Sequence, residues 1–169
     1  GLTAPSLMGK YGMMDSQVYL LPENMSSAME HAEIPESLAE DLLKIIIAHE
    51  LAHALQDQEI NLKEKVLATR SVDESLAFQA TIEGHAVYVQ EKVAKLLGLN
   101  EAAKAGRKLL TVPDLDDEAW LIDKFALSEA MNRESIYLGG EAFISFHAKK
   151  GGNAKVWSIL ENPPSRTSM

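Results

Sequence analysis

The chain is organised around the stretch Ile45-Ile46-Ile47-Ala48-His49-Glu50-Leu51-Ala52-His53-Ala54-Leu55-Gln56-Asp57. Side chains four residues apart lie one above the other on an α-helix, so His49 and His53 can present two imidazole nitrogens to one metal ion. Glu50 projects from the same general side and can reach a water molecule at that metal. The stretch therefore predicts a helix that carries two metal ligands and a general base.

Apolar residues flank this motif on nearly every side of the predicted helix, including Ile45, Ile46 and Leu55. A helix that is apolar all round is usually buried. Buried polar groups cost free energy when they lack partners, and a metal ion would be a partner for both histidines. The alternative is that the two histidines are hydrogen-bonded within the core and that Glu50 is exposed.

The composition predicts an ordinary globular domain whose metal ligands must be histidines and carboxylates. The chain has 169 residues, of which 46% are hydrophobic and 24% are charged. This length is typical of a single domain, and we expect one domain over residues 1–169. The sequence contains no cysteine, which excludes disulfides, thiolate zinc sites and cysteine nucleophiles.

The net charge of −9 comes from acidic residues that are spread along the chain, and it argues against nucleic acid as a partner. No apolar run approaches the roughly 20 residues that a membrane-spanning helix needs. The chain begins with Gly1-Leu2 rather than Met, which is typical of a trimmed chain and leaves an extracytoplasmic location open. The sequence does not fix the oligomeric state.

The pattern of elements predicts a mainly α (α+β) fold with a short N-terminal β-hairpin. We expect residues 1–35 to form the hairpin and a lead-in, and residues 36–165 to form the helical core. Pro35, with a Ser37–Glu40 capping box, begins the motif helix. The Gly139-Gly140 pair is expected to interrupt the helical pattern. The predicted strands are 10–14 and 17–21, and the predicted helices are 35–58, 73–97, 100–108, 116–132, 141–150 and 153–161.

A third metal ligand is needed, because catalytic zinc usually takes three protein ligands and keeps one position for water. Glu83 is the best candidate, since it lies mid-helix in an apolar stretch far enough from His53 for a second helix to pack antiparallel beside the first. Gly84 costs about 1 kcal/mol relative to Ala inside a helix, and close approach of two helices there could offset it. His85 is the rival ligand, but it points about 200° away from Glu83, so both cannot face one metal.

The stretch from His49 to Asp57, followed by Glu83 on the next long helix, resembles the gluzincin zinc metallopeptidases, the group to which thermolysin belongs. The nearer resemblance is to small uncharacterised bacterial zinc peptidases, in which an H-E-L-x-H-A-L-Q-D-Q stretch precedes a later E-G-x-A. Further shared stretches are Tyr137-Leu138-Gly139-Gly140-Glu141-Ala142-Phe143, Gly151-Gly152 and Pro163-Pro164-Ser165. The similarity covers about residues 40–165.

This resemblance implies a compact zincin-like domain that hydrolyses a peptide or protein substrate. It implies His49, His53 and Glu83 as ligands of Zn²⁺ and Glu50 as the general base. Tyr137 is the preferred donor to the oxyanion of the reaction, because it is shared with the bacterial group. His147 is the alternative donor, while His147 and His31 are otherwise expected to be exposed or structural.

One position departs from the family pattern. In thermolysin-like sites, an acid one turn after the ligand Glu orients a ligand histidine, and here that position is Val87. We expect Asp57 or Gln79 to take this role instead. Two other functions stay open, namely a non-catalytic zinc-stabilised regulatory or binding domain and an incomplete peptidase domain that needs residues beyond the chain.

Overall fold

Helices account for most of the protein, with a two-stranded antiparallel hairpin at the N-terminal end. The structure is a computed structural model that describes residues 8–111 and 134–167. The mainly α (α+β) class with a short hairpin is therefore confirmed. Within the described ranges, no helix combines the length and the apolar content needed to cross a membrane. The helix predicted over 116–132 lies outside the described residues.

Six α-helices occur in these two ranges, and the long second and fourth helices carry the motif residues. They are α1 (Pro22–His31), α2 (Ala39–Ile60), α3 (Leu62–Ala68), α4 (Val72–Leu97), α5 (Asn100–Thr111) and α6 (Gly140–Glu161). A 3₁₀ turn (Glu36–Leu38) precedes α2, and a π-helical stretch (Ser135–Gly139) runs directly into α6.

The hairpin pairs β1 (Gly9–Gly12) with β2 (Gln17–Leu20) and has the register Gly9↔Leu20 and Tyr11↔Val18. Its tight turn is closed by the Ser16 amide, which donates to the Gly12 carbonyl at 2.7 Å. The hairpin is thus where the sequence predicted it, although β1 ends at Gly12, two residues before the predicted end of the first strand. Gly9 and Tyr11 alternate with exposed Lys10 and face the protein, so β1 packs against α2.

The starts of three helices differ from the prediction. Residues 22–31, which the prediction placed in the lead-in, form α1, because Pro22 suits a first helical turn and two methionines, Met25 and Met29, share one buried face. Pro35 has an extended backbone (φ −59°, ψ 136°), so α2 begins later and the predicted capping box is absent from it. Ser71 caps α4 by accepting from the Glu74 amide at 3.1 Å, so this helix begins one residue before the predicted start at 73.

Two glycine pairs near the C-terminal end behave differently from each other. The break predicted at Gly139-Gly140 is wrong, since helical backbone is continuous from the π-helical stretch into α6. A kink does occur at Gly152, whose φ of 63° and ψ of −164° interrupt α6 where a helix end was expected. Gly140 is a contact residue rather than a helix breaker.

The main core cluster joins the end of α2, the start of α3, the first half of α4, and α6. Its buried members are Ile60, Leu62, Phe78, Ile82, Ile144, Val156, Ile159 and Leu160. Helix α2 packs against α4 and α5 and buries Ile45 and Ile46, as the apolar flanks predicted. Leu51 and Leu55 are exposed, so the expectation of a helix buried on nearly every side is wrong.

Candidate metal centre

His49, His53 and Glu83 converge on one point between α2 and α4. The Nε2 atoms of the two histidines are 3.1 Å apart. The Glu83 Oε2 atom lies 3.2 Å from Nε2 of His49 and 3.3 Å from Nε2 of His53. One ligand atom from each of the three residues falls within 4.8 Å of the others, which suits a single metal ion.

Antiparallel packing of α2 against α4 produces this convergence. The contacting pairs across the two helices are 49 with 90, 53 with 83, and 56 with 82. Residue numbers therefore rise along α2 as they fall along α4, which means that the helices are antiparallel. Asn61 ends α2 in the left-handed conformation (φ 53°), and the chain turns there through α3. The expectation of two antiparallel helices side by side is therefore confirmed.

Gly84 is required by a third helix rather than by α2. A Cβ atom built on Gly84 would lie 2.1 Å from the carbonyl carbon of Gly140, and one on Gly140 would lie 2.1 Å from the carbonyl oxygen of Ala80. Real Cβ atoms do not approach backbone so closely. The glycine beside Glu83 thus allows close helix approach, as the sequence suggested, but to the start of α6.

The ring nitrogens that face away from the centre contact glutamine side chains. The Nδ1 atom of His49 is 2.9 Å from Oε1 of Gln90, and the Nδ1 atom of His53 is 2.8 Å from Oε1 of Gln56. A metal-binding histidine commonly donates this second N–H to an oxygen, which fixes the tautomer and the ring orientation. Both rings therefore have the outer contact that metal ligation needs.

These outer partners are not the ones that the sequence suggested. Asp57 instead accepts from the Tyr11 hydroxyl at 2.8 Å and from the Leu62 amide at 2.9 Å. Gln79 is exposed on the wall of the cleft. The signal that could have found Gln56 is its position three residues after His53, where helical side chains are neighbours.

His85 does not join the centre. Its Nδ1 atom is 2.9 Å from Nε2 of Gln56, and its ring packs against Trp157 with centroids 5.5 Å apart. Burial lowers the pKa of His85 to about 4, so this imidazole is neutral near pH 7. Of the two rival residues on α4, the structure brings Glu83 to the motif histidines and turns His85 away.

The electrostatics of the three residues favour a positive charge at their centre. Burial alone would lower the pKa of His53, but the Glu83 carboxylate raises it to about 9. Burial alone would raise the pKa of Glu83, yet the two histidines hold it well below its ordinary range. When each Nδ1 atom donates to an amide oxygen and neither ring carries a second proton, the Nε2 lone pairs of both histidines and the Glu83 carboxylate face each other. Such a group of acceptors fits a cation, and histidine with carboxylate is a zinc ligand set.

Glu50 is buried beside this group, with 6% of its surface exposed. Its carboxylate accepts from the backbone N–H of Tyr11 and interacts electrostatically with both histidines, and burial raises its pKa. The Leu21 amide donates to the Met8 carbonyl at 2.9 Å. Because hydrogen-bonded pairs alternate with non-hydrogen-bonded pairs along an antiparallel ladder, the Tyr11 N–H points away from β2. The free edge of β1 therefore meets the general-base candidate, and the alternative of an exposed Glu50 is wrong.

A cleft of about 330 Å³ opens next to the three residues. It is bordered by His53 and Glu83 at the centre, by the hairpin on one side, and by α3 and α4 on the other. Apolar side chains contribute much of its wall, and these are Tyr11, Met13, Leu62, Val66, Phe78 and Ile82.

Tyr137 lies beside His49, with ring centroids 6.1 Å apart and planes 33° apart. It belongs to the π-helical stretch, a form that often occurs at functional sites. His147 instead packs edge-on against Phe143 and Phe146, with centroids 4.6 Å and 5.2 Å away. Of the two candidate oxyanion donors, Tyr137 is therefore the one found next to a motif histidine.

Comparison with protein-family models, with curated proteins and with solved structures finds no match to this chain. The gluzincin resemblance consequently stays a prediction from the motif residues.

Proposed function

We propose that this chain is a zinc-dependent peptidase of the gluzincin type. The observation that carries the proposal is the convergence of His49, His53 and Glu83 on one point beside the buried carboxylate of Glu50. Two imidazole nitrogens and one carboxylate leave a fourth position of a tetrahedral zinc site free. The cleft that borders His53 and Glu83 supports the proposal, because a peptidase needs room for a substrate there.

His49, His53 and Glu83 would hold Zn²⁺, which when bound polarises a carbonyl oxygen and makes water more acidic. Glu50 would accept a proton from the attacking water on its carboxylate and deliver it to the leaving nitrogen. The Tyr11 N–H would orient the Glu50 carboxylate during this exchange. Tyr137 would stand beside the reacting carbonyl as the hydrogen-bond donor to the oxyanion.

The second candidate is a non-catalytic zinc-stabilised regulatory or binding domain. It is favoured by the burial of Glu50 under β1, since a general base must reach both water and substrate. In this case zinc would link α2 to α4 and stabilise the fold, and the cleft would bind a partner without hydrolysis.

Replacing Glu50 by Gln tests the proposal. We expect Glu50→Gln to bind one zinc per chain by elemental analysis, because none of the three ligands changes. Hydrolysis of a broad peptide library, followed by mass spectrometry, should fall by at least about 100-fold, which is the lower range for general-base catalysis. The matched control is Glu59→Gln, which changes an exposed Glu on the same helix and should leave hydrolysis unchanged.

The outcomes separate the candidates. Undiminished hydrolysis by Glu50→Gln would exclude Glu50 as the base. A chain that binds zinc but hydrolyses no member of the library would favour the non-catalytic domain. Activity that is gained only in a longer chain would favour an incomplete peptidase domain.

A further inference from the structure

The ring of His53 is the first member of a buried chain of hydrogen bonds that ends on α4. Gln56 is fully buried, with 0% of its surface exposed, and its Oε1 atom is 2.8 Å from Nδ1 of His53. The Nε2 atom of Gln56 donates to the Ile82 carbonyl at 2.9 Å and lies 2.9 Å from Nδ1 of His85. We call His53, Gln56 and His85 the relay.

Hydrogen-bond chemistry fixes the direction of the relay. A backbone carbonyl only accepts, so the Gln56 atom beside Ile82 must be the amide nitrogen and the atom beside His53 must be the oxygen. The oxygen requires His53 to donate from Nδ1, which leaves its Nε2 lone pair for the centre. The second amide hydrogen requires His85 to accept at Nδ1 and to carry its proton on Nε2.

We propose that Gln56 and His85 are positioning residues that hold His53 in its metal-binding tautomer. The inference rests on the proposed zinc site. Gln56 acts directly on His53, whereas His85 acts by helping to keep the Gln56 amide from rotating. Neither residue touches the centre, and neither adds a negative charge to it, in contrast to the carboxylates that orient many zinc-bound histidines.

The two ligand histidines differ in how firmly their outer partners are held. Gln56 is anchored by two acceptors on α4 and has no exposure to water. The partner of His49 is Gln90, which is 7% exposed. The relay therefore assigns the stronger orienting contact to His53.

Zinc affinity, measured by competition with a chromophoric chelator, tests the proposal. We expect Gln56→Met to weaken zinc binding by about 10–100-fold, the usual effect of losing an outer-shell partner. His85→Phe should weaken it by a smaller factor, because the Ile82 carbonyl still anchors Gln56. The matched control is Gln58→Met, which changes an exposed glutamine on the same helix and should leave the affinity unchanged.

Nitrogen-15 NMR of the histidine rings gives a second measurement, because it reports which ring nitrogen carries the proton. A role of Gln56 in packing alone would not determine this tautomer. The chain has only five histidines, so each ring can be assigned by substitution. With zinc bound to the unaltered chain, we expect a proton on Nδ1 of His53 and on Nε2 of His85. This measurement keeps the test decisive even if Gln56→Met fails to fold.

Failure of the relay can be distinguished from failure of the proposed zinc site. An unaltered chain that binds no zinc would overturn the metal site, and the NMR tautomers would then test the relay by itself. Normal zinc affinity in a folded Gln56→Met, or an Nδ1 proton on His85, would overturn the relay while leaving the zinc site intact. Weakened affinity with the expected tautomers would support both.

Discussion

The two sides of α2 hold the candidate centre in different ways. Towards α4, the motif histidines lie among packed helices and contact Gln56 and Gln90, which are both buried. On the hairpin side, Glu50 lies beneath β1, a strand of four residues that pairs with a single other strand. An isolated two-stranded hairpin is at best marginally stable in water, so its position depends on contacts with α2.

This difference separates metal binding from catalysis in the proposed enzyme. The three proposed ligand residues and their outer partners all belong to α2 and α4, whereas the proposed general base, Glu50, depends on the hairpin for its hydrogen bond from Tyr11. A substitution that disrupts the packing of α2 against α4 should therefore lower both zinc affinity and peptide hydrolysis. A substitution that weakens the packing of the hairpin on α2 should lower hydrolysis more than it lowers zinc affinity.

The largest effect is expected from Gly84→Ala, which disrupts the helix side. The new Cβ would lie 2.1 Å from the Gly140 backbone, and relief requires α6 to move. We expect the free energy of unfolding to fall by about 3 kcal/mol or more, at the upper end for overpacking, despite the gain in helix propensity. Urea denaturation measures this change.

The matched control for this change is Gly106→Ala on α5. A Cβ there meets only Leu42, at 3.6 Å, so the substitution should stabilise the protein by about 0.5–1 kcal/mol through helix propensity. Equal effects at the two glycines would contradict the close approach of α4 to the start of α6.

The next effect in size is expected for Glu83→Ala, which removes the one carboxylate of the proposed ligand set. Zinc affinity should fall by more than the about 10–100-fold expected for an outer-shell partner, because a ligand atom and its charge are both lost. Chelator competition measures it, and the exposed Glu59→Ala is the control. Unchanged metal content in Glu83→Ala would assign the third ligand to another residue.

The local part of this site could be predicted from the sequence. A spacing of four residues places His49 and His53 on one helix face whatever the rest of the chain does. Glu83 could also be chosen, because an acidic residue in the apolar middle of a helix needs a partner and cysteine is absent. Its proximity to the histidines then follows from antiparallel packing, which short connections between helices favour.

The outer contacts could not be predicted, because they depend on which residues meet across the interface. The sequence predicted Asp57 or Gln79 as the orienting residue, but the Asp57 carboxylate accepts hydrogen bonds from Tyr11 and Leu62. The predicted glutamine, Gln79, is exposed, and the amide oxygens of Gln56 and Gln90 take this role instead. The position of Gln90, seven residues after Glu83, is indistinguishable in sequence from that of many other helical residues.

The role of a glycine within a helix also could not be predicted from the sequence. Gly140 was expected to break a helix, and it proved to be needed for contact with Ala80 and Gly84. The same residue type serves both purposes, and only the neighbouring backbone decides between them. Among the described glycines, Gly98 and Gly152 have φ of 73° and 63°, in the left-handed region that favours glycine.

The smallest effect is expected from Tyr11→Phe on the hairpin side of α2. This variant tests most directly whether the hairpin side and the α4 side act separately. The change removes the hydrogen bond from the Tyr11 hydroxyl to Asp57 on α2, and should cost about 1 kcal/mol in urea denaturation. The matched control is Tyr19→Phe, in which an exposed hairpin tyrosine loses its bond to Asp15 and stability should change by less than about 0.5 kcal/mol.

Tyr11→Phe should also lower peptide hydrolysis more than it lowers zinc affinity. The tyrosine fixes β1 on α2, and β1 supplies the backbone N–H that orients Glu50. The relevant measurement is therefore the ratio of the two losses in one variant. If zinc affinity fell as much as hydrolysis, the hairpin would support the ligand residues as well, and the two sides of α2 would act as a single unit.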